Sequence, residues 1–501
     1  MLRTVKLGEL AAGVPGATVR EGAETEIRAI VYDSRRAQPG DLFVAVGGLR
    51  SNGHQYAAEV AARGIAVALQ EWVELPPGTP WIQLEDSRTG LAELAATFQG
   101  RPARRLRVAG VTGTDGKTTT THMAAHVLEA GGRQAGLMST VAFRAGAAES
   151  SNLSGQTTTE SPEVQSWLRR MVDEGMEDAV VEVTSHALMQ SRVGACEFDV
   201  AAFTNVGFDH LDYHPSWEHY LEAKARLIDL CAAGADKGIP KTAILNRDDI
   251  SYERLAARPI SRRWCYSIDH ADADIRAVEV WGDAAGSRFR LVTPLGDAPV
   301  ELRLPARFNV YNALCAAGIG LALGLSVRQV ADGLGLVHGV RGRLEPVNLG
   351  QPFRVFIDFA HSAGSLASAL GELRPFTEGR LILVFGSTAR SDHDRPGMGR
   401  AAGRGADFFI ITSDDPVNED PADIARDVQS GVEGREPGRD YLVVLDRRSA
   451  IRQAIAAARA GDVVLIAGKG HEQSMITAAG REPWDDRTEA EAAIRAAGPG
   501  A

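Results

Sequence analysis

Nearly continuous apolar runs of four to six residues alternate with alanine-rich stretches along most of this chain. Toward the C-terminus the runs fall at 355–358, 381–385, 408–412, 441–445 and 463–467. Each is apolar at almost every position, as a parallel strand covered on both faces must be. Alanine-rich stretches such as 449–460 read as the helices between them. The pattern predicts a doubly wound, Rossmann-like sheet over 339–501. In the middle of the chain, 179–183, 200–204 and 242–245 read as strands separated by helical segments, and 104–108 reads as a strand ahead of a helix at 122–131. A more polar β-type stretch at 261–304 reads as that sheet's edge. Before residue 100, the runs 27–32 and 41–46 are each followed by turn or helix signals. The expected fold class is α/β in three domains, at 1–100, 101–338 and 339–501, with no internal repeat.

The 501 residues are too many for a single core. Hydrophobic residues make up 44% and charged residues 24%, the balance of a soluble globular protein. A net charge of −11 argues against nucleic acid as a partner. None of Cys196, Cys231, Cys265 and Cys315 sits at close pair spacing. That argues against a disulfide framework or zinc site and for a reducing compartment. The N-terminus lacks a signal-peptide core, and no apolar stretch reaches the length of about eighteen residues that a membrane span needs. The expectation is a cytoplasmic protein, monomeric and not inserted in a membrane.

Residues 109–121 read Ala-Gly-Val-Thr-Gly-Thr-Asp-Gly-Lys-Thr-Thr-Thr-Thr. A glycine-rich turn between strand and helix aims backbone N–H groups and a helix N-terminus at one spot, which suits phosphate. Lys117 would reach the outer phosphates, and the Thr118 hydroxyl would bind Mg²⁺. Val111 stands where the general pattern has glycine, so Gly113, Gly116, Lys117 and Thr118 carry the signal. The bland alternative is an ordinary glycine-rich turn. The expected ligand is a nucleoside triphosphate.

Three further clusters fall where central strands should end. Glu182 lies late in a strand, where open α/β sheets gather ligands, and as an oxygen donor it would join Thr118 on Mg²⁺. Its alternative is an edge carboxylate in an ion pair. The loop 205–214 holds Asp209, His210, Asp212 and His214, and His210 would bind a metal or position phosphate. A structural histidine is the competing reading. Segment 216–227 reads as an amphipathic helix, on which Lys224 taken alone is a surface lysine.

Together these segments resemble the Mur ligase family, over nearly the whole chain. The resemblance rests on Asp33-Ser34-Arg35 with 39–45, on 112–119, on Thr157-Thr158-Thr159-Glu160-Ser161, and on 182–188 and 209–214. It continues through Phe308-Asn309-Val310-Tyr311-Asn312, Gly342-Arg343, 358–361 and Gly468-Lys469-Gly470-His471-Glu472. It implies an N-terminal domain that binds a uridine nucleotide, a central P-loop ATPase-like domain and a C-terminal domain that closes on the nucleotide and selects an amino acid. Ser34 would hold the uridine end, and Thr157, Thr158, Ser185, Gln190 and Arg192 the sugar-peptide and phosphates. Gly113, Thr114, Asp115, Gly116, Lys117, Thr118 and Thr119 would wrap the ATP phosphates. Asn309 would face adenine, and Arg343 and Asp358 the nucleotide. Lys224 sits where the family carries a carbamylated lysine. An ammonium, with a pKa of about 10.4, would repel Mg²⁺, whereas a carbamate is an oxygen ligand. One Mg²⁺ would then take Thr118 and Glu182, and a second His210 and modified Lys224. Lys117, Glu182, His210 and Lys224 form the implied catalytic set.

The implied chemistry is ATP-dependent amide formation in peptidoglycan precursor synthesis. The γ-carboxylate of D-glutamate in UDP-N-acetylmuramoyl-L-alanyl-D-glutamate takes the γ-phosphoryl group. The resulting acyl phosphate is then attacked by the amine of a free amino acid. Four departures from the family pattern bear on nucleotide affinity. Asp115 replaces asparagine, Phe208 an arginine and Thr159 a proline, and the loop 386–392 lacks the usual glycines. The segment Ser413-Asp414-Asp415-Pro416-Val417-Asn418 matches the amino-acid selecting motif. Members that add meso-diaminopimelate carry an arginine at the Val417 position, which forks onto the distal carboxylate; valine cannot. Asp414, Asp415 and Glu472 offer partners for a side-chain ammonium, with Pro416 and Gly468 beside them, and Arg390 would hold the α-carboxylate. L-Lysine or L-ornithine is therefore favoured. The competing readings are a folylpolyglutamate- or cyanophycin-type ligase and a relative that binds nucleotide without catalysis.

Overall fold

The computed structural model describes residues 3–48, 51–152, 156–208, 213–283, 286–389 and 394–498. Its contacts divide the chain into two compact units. One comprises Met1–Glu279, Phe289–Val300 and Tyr311–Leu336, and the other Val280–Arg288, Glu301–Val310 and Val337–Ala501.

The first unit contains two sheets of note. The smaller runs in the order Thr18–Glu21, Trp81–Gln83, Ala66–Leu69, Asp41–Val44 and Ala29–Val31. The apolar run 27–32, which reads as one strand, is shared between two pairings. Ile27 pairs antiparallel with Val5, whereas Ala29–Val31 pairs parallel with the strand Asp41–Val44. The larger sheet has a parallel core ordered Ala135–Met138, Asp178–Glu182, Arg107–Thr112, Val200–Phe203, Thr242–Asn246, Arg262–Ser267 and Ile275–Asp283. Hairpin strands extend it at both edges, and the polar stretch after 261 forms one of those edges as its composition predicts. Strand Arg107–Thr112 lies between strands that follow it in opposite directions across the sheet. Its carboxyl end is therefore a topological switch point, where such sheets bind ligands.

One boundary differs from expectation. Arg104 and Arg105 belong to the 3-10 turn Pro102–Arg105, and the strand starts at Arg107. Pro102 fixes φ at the first position of that turn and has no N–H to give a ladder, which favours the turn over an extended start. The following helix is Lys117–Ala130, longer than the expected 122–131. It takes in the threonine run because its first turn grows directly out of the glycine loop.

In the second unit, a sheet runs Glu345–Val347, Arg354–Asp358, Val463–Ala467, Leu381–Ser387, Phe408–Ser413 and Tyr441–Val443. Its last five strands are parallel, and their side chains fill cores on both faces, as their unbroken apolar runs require. The four cysteines are buried and free. Burial pushes the thiols of Cys196, Cys231 and Cys315 up to about 12. No helix among the described residues is long and apolar enough to cross a membrane.

Asp199 ties the start of the larger sheet together. It is fully buried, and its carboxylate accepts from Lys237 Nζ, Lys241 Nζ and Val108 N, each at 2.8 Å. Removing one member of a buried ion cluster leaves the remaining charges desolvated and unpaired. Asp199→Ala should therefore lower unfolding stability by about 3–5 kcal/mol; urea denaturation followed by circular dichroism measures this.

Candidate active site

The loop after strand Arg107–Thr112 passes through Gly113, at φ +153°, and Gly116, at φ +79°, before helix Lys117–Ala130 begins. A Cβ on Gly113 would stand 1.8 Å from Thr204 Oγ1, and one on Gly116 would stand 2.3 Å from Asn312 Oδ1. No side chain fits at either place. The loop backbone is fastened to the end of the next strand. Thr114 N donates to Asn205 O at 2.8 Å and Asp115 N to Asn205 Oδ1 at 3.0 Å. In return, Asp115 O accepts from Thr204 Oγ1 at 2.6 Å. The main chain of Asp115 thus does the structural work while the residue is exposed, so its extra charge is solvated.

Lys117 Nζ donates to Thr114 O at 2.8 Å, across the concave side of the loop. Buried Thr118 donates its hydroxyl to Glu182 Oε1 at 3.0 Å. Glu182 is 1% exposed, and Thr140 adds its backbone N–H to Oε2 at 2.8 Å and its hydroxyl at 3.0 Å. These partners are hydroxyl and amide donors, so Glu182 is no edge carboxylate in an ion pair. Hydroxyl and carboxylate oxygens this close form the donor set a hard divalent cation takes.

Lys224 differs most from its reading in isolation. It is 1% exposed, not on a surface. Helix Trp217–Ala233, started by Ser216 accepting from His219 N, turns it inward. Its Nζ donates to Gly113 O at 2.6 Å and lies 4.3 Å from the centre of the Tyr220 ring. Gly113, Thr118, Glu182 and Lys224 therefore converge at the end of one strand. His210 and its neighbours 209–212 lie outside the described residues. Phe208 is exposed beside Trp217.

The segment after 156 joins this centre. Thr158 Oγ1 donates to Glu182 O at 2.9 Å, and Arg192 Nη1 donates to Thr158 O at 2.8 Å. Arg192 also reaches Gln190 Oε1 at 2.8 Å. The Ser185 hydroxyl is 3.0 Å from Nε2 of buried His214. Thr157 is half-buried, and Ser34 offers its carbonyl to Arg63 at 3.0 Å, apart from that cluster. Two contributors escape a reading of the sequence. Glu160 pairs with Arg88 and Arg192, both at 3.0 Å, and Asn312 packs on Gly116 and accepts from Thr120 at 3.3 Å. Glu160 and Asn312 stand inside recognised runs, but only the fold gives them partners.

In the second unit, Asp358 caps two amides, Leu344 N at 2.7 Å and Ala360 N at 2.8 Å, and burial raises its pKa against the pull of Arg343. The Arg343 guanidinium lies 5.0 Å from the centre of the Phe359 ring. Asn309 is buried and donates to Pro305 O at 2.8 Å. Beyond the strand ends, Asp414, Asp415 and Glu472 bring carboxylate oxygens within 4.8 Å of one another. Their described partner is Lys469, fully buried, with Nζ 2.8 Å from Asp415 and 2.6 Å from Glu472. Asp415 and Val417, on either side of Pro416, have φ of +39° and +53°, and Val417 is exposed. Gly468, at φ +114°, lies against the Asp414 carboxylate. Arg390 lies outside the described residues.

Comparison with known proteins fits this geometry. Residues 111–320 match the Mur ligase middle domain, and residues 342–470 match the Mur ligase, glutamate ligase domain. The chain belongs to the Mur ligase family. It is 44% identical to the UDP-N-acetylmuramyl-tripeptide synthetase of Roseiflexus sp. (strain RS-1), over 95% of this chain and 96% of that one. It is 42% identical to the UDP-N-acetylmuramoyl-L-alanyl-D-glutamate–2,6-diaminopimelate ligase of Geobacillus kaustophilus (strain HTA426), over 99% and 100% of the two chains. A solved structure of a ligase of the latter kind superposes with a TM-score of 0.69 at 29% identity, covering 99% of each chain. As a Mur ligase, the protein is an ATP-dependent amide ligase of peptidoglycan synthesis.

Within this ligase, Asp248 carries a distinct pH signature. Burial pulls its carboxyl upward. Hydrogen bonds from Ser267, His270, the Ile268 amide and Tyr311 outweigh that pull and hold the carboxyl at about 2. Its folded pKa is below the unfolded value of about 4, so its stabilisation is complete above pH 4 and vanishes as pH falls through 2. Asp248→Asn should flatten this acid limb in denaturation curves measured between pH 5 and 2. Gly116→Ala should strain the loop and weaken binding of a non-hydrolysable ATP analogue at least about tenfold by calorimetry, because the added methyl displaces Asn312 and alanine disfavours φ +79°.

Proposed function

We propose that this ligase joins a diamino acid, L-lysine or L-ornithine in preference to meso-diaminopimelate, to the D-glutamate of UDP-N-acetylmuramoyl-L-alanyl-D-glutamate. The convergence of the phosphate loop with Glu182 and buried Lys224 is the observation that carries the chemistry. Residues 1–100 bind the UDP-sugar, 101–338 bind ATP and 339–501 select the amino acid. Asn309, Arg343 and Asp358 are assigned to the nucleotide. Ser34, Thr157, Thr158, Ser185, Gln190 and Arg192 are assigned to the UDP-linked substrate. The protein works in the cytoplasm as a monomer.

The loop amides from Gly113 to Thr119 and the Lys117 ammonium offset the negative charge of the ATP phosphates as the γ-phosphoryl group moves to the glutamyl carboxylate. The bond from the γ-phosphorus to the bridging oxygen breaks and ADP leaves. The amine of the amino acid then adds to the acyl phosphate, and inorganic phosphate departs with a proton lost from nitrogen. Thr118 and Glu182 would hold one Mg²⁺, and His210 with carbamylated Lys224 a second; such ions would neutralise phosphate charge. Positioning three reactants in one place accounts for much of the rate gain such a site achieves.

Val417 supports the choice of amino acid. It cannot make the two-pronged bond to a distal carboxylate that arginine makes, and it follows Asp414 and Asp415 in the same segment. The Geobacillus relative favours a second reading, because it is named for adding 2,6-diaminopimelate. Phosphate release with the UDP-dipeptide and each of L-lysine, L-ornithine and meso-diaminopimelate decides between them. Lysine or ornithine should give kcat/KM at least about tenfold above meso-diaminopimelate, and Val417→Arg should shrink that gap. Preference for meso-diaminopimelate overturns the choice but leaves the ligase reaction standing. Release with none of the three overturns the acceptor assignment.

A further inference from the structure

The carboxylate of Glu160, at the start of helix Ser161–Asp173, is buried and shared between two guanidinium groups from different parts of the chain. Arg88 Nη1 donates to Oε2 at 3.0 Å, and Arg192 Nε stands 3.0 Å from Oε1. Arg88 belongs to the first turn of helix Ser87–Phe98, which Asp86 caps by accepting from Thr89 N. Its other arm, Nη2, donates to Gly47 O at 3.3 Å. Arg192 is itself buried and uses its two remaining arms as well, on Thr158 O and Gln190 Oε1, both at 2.8 Å. Thr158 in turn donates to Glu182 O at 2.9 Å and accepts from Thr184 N at 3.2 Å. One line of contacts thus runs from Gly47 through Arg88, Glu160 and Arg192 to Thr158 and the last residue of strand Asp178–Glu182.

Two guanidinium groups this close repel each other, and the carboxylate between them offsets that repulsion. Burial lowers the Arg192 pKa, Glu160 opposes that, and Arg88 adds to it. Each oxygen of Glu160 is taken by one arginine. With Arg88 removed, Oε2 would have no donor among the described residues. A guanidinium fork accommodates both oxygens of a carboxylate, so Glu160 would then draw Arg192 onto itself. Arg192 could no longer keep all its bonds, and those to Thr158 and Gln190 would suffer.

We propose that Arg88 is a positioning residue for the UDP-linked substrate: by occupying one oxygen of Glu160 it keeps Arg192, and with it Thr158 and Gln190, in the arrangement that receives that substrate. This rests on the reading of Thr158, Gln190 and Arg192 as part of the substrate site. Arg88 acts through Glu160 and makes no bond to substrate of its own. A side chain from the segment before residue 100 thereby sets the affinity of a cluster borne by residues 158–192.

The test measures phosphate release by the full-length protein with ATP, the UDP-dipeptide and whichever of L-lysine, L-ornithine and meso-diaminopimelate the wild type uses best. Arg88→Met, unbranched but uncharged, should raise KM for the UDP-dipeptide at least about tenfold, while KM for ATP stays within about twofold and kcat within about threefold. Arg88→Lys, which keeps a cation beside Glu160, should bring that KM back to within about threefold of wild type. Glu160→Gln should raise KM for the UDP-dipeptide as well. Arg88→Met added to it should change that KM by less than about twofold, because the two residues act as one unit. An Arg88 that bound substrate directly would give effects that multiply. That result overturns the proposal, as does an Arg88→Met KM within about threefold of wild type. Glu163→Ala is the control. It removes the bond from the Tyr32 hydroxyl to Glu163 Oε1, at 3.2 Å, which also joins the segment before residue 100 to helix Ser161–Asp173. It should leave KM for the UDP-dipeptide within about twofold, and a rise of about tenfold would mean that any loosening between these segments suffices, which overturns the proposal. Should the Arg88→Met protein not fold, Glu160→Gln decides alone: a rise confined to the UDP-dipeptide supports the assignment, and an unchanged KM overturns it. A wild-type protein that releases no phosphate with the UDP-dipeptide would instead sink the reading of the substrate site, before any variant is made.

Discussion

The hydrogen bond from Thr118 to Glu182 joins the first turn of a helix to the end of a neighbouring parallel strand, and the arrangement around the glycine loop depends on it. It exists because Glu182 is in register with Val111, two residues before Gly113. Side chains alternate between the faces of a strand, so a slip of one residue would turn Glu182 to the opposite face. Nothing local to the phosphate loop could then replace it. Sheet register, set by buried valines and alanines, thus fixes where these oxygens stand relative to the glycine loop. Thr140 holds the same carboxylate from a second segment, and Thr158 holds the Glu182 backbone carbonyl from a third.

Much of this was legible in the sequence, for identifiable reasons. Strands buried on both faces must be apolar throughout, so those at 381–385 and 463–467 could be read directly. The glycine loop was legible because only glycine tolerates the backbone at 113 and 116. Pairing partners were not legible. The run 27–32 gives no sign that Arg28 separates residues that serve two different sheets. Lys224 looked like a surface residue because helical period assigns a face without saying what covers it, and here the Gly113 carbonyl and the Tyr220 ring do. Asp115 raised a concern about charge that the fold removes, since its backbone is used and its side chain is solvated. Glu160 and Asn312 could not be picked out in the sequence because what they do consists of contacts with distant parts of the chain.

The two units present opposite electrostatic characters. Around the glycine loop the prepared groups are amides, hydroxyls, a lysine and one well-held carboxylate, a setting for phosphate and its counter-ions. At the strand ends of the second unit the groups are acids, Asp414, Asp415 and Glu472, with Lys469 among them and Arg447 paired to Asp486 beside them. Val417 lies at the border of the second, on a backbone conformation that a β-branched residue rarely adopts.

The buried thiols have a different consequence. At neutral pH almost none of Cys196, Cys231 or Cys315 is ionised, and an un-ionised thiol is a poor nucleophile. Cys231 and Cys315 lie inside helices and Cys196 beside the central strands, so a reagent meets each sulfur only when its surroundings part. The molecule therefore carries its own clocks. The rate at which each cysteine takes up a small thiol reagent counts the openings of that region, in the way amide exchange does, without any label having to be introduced.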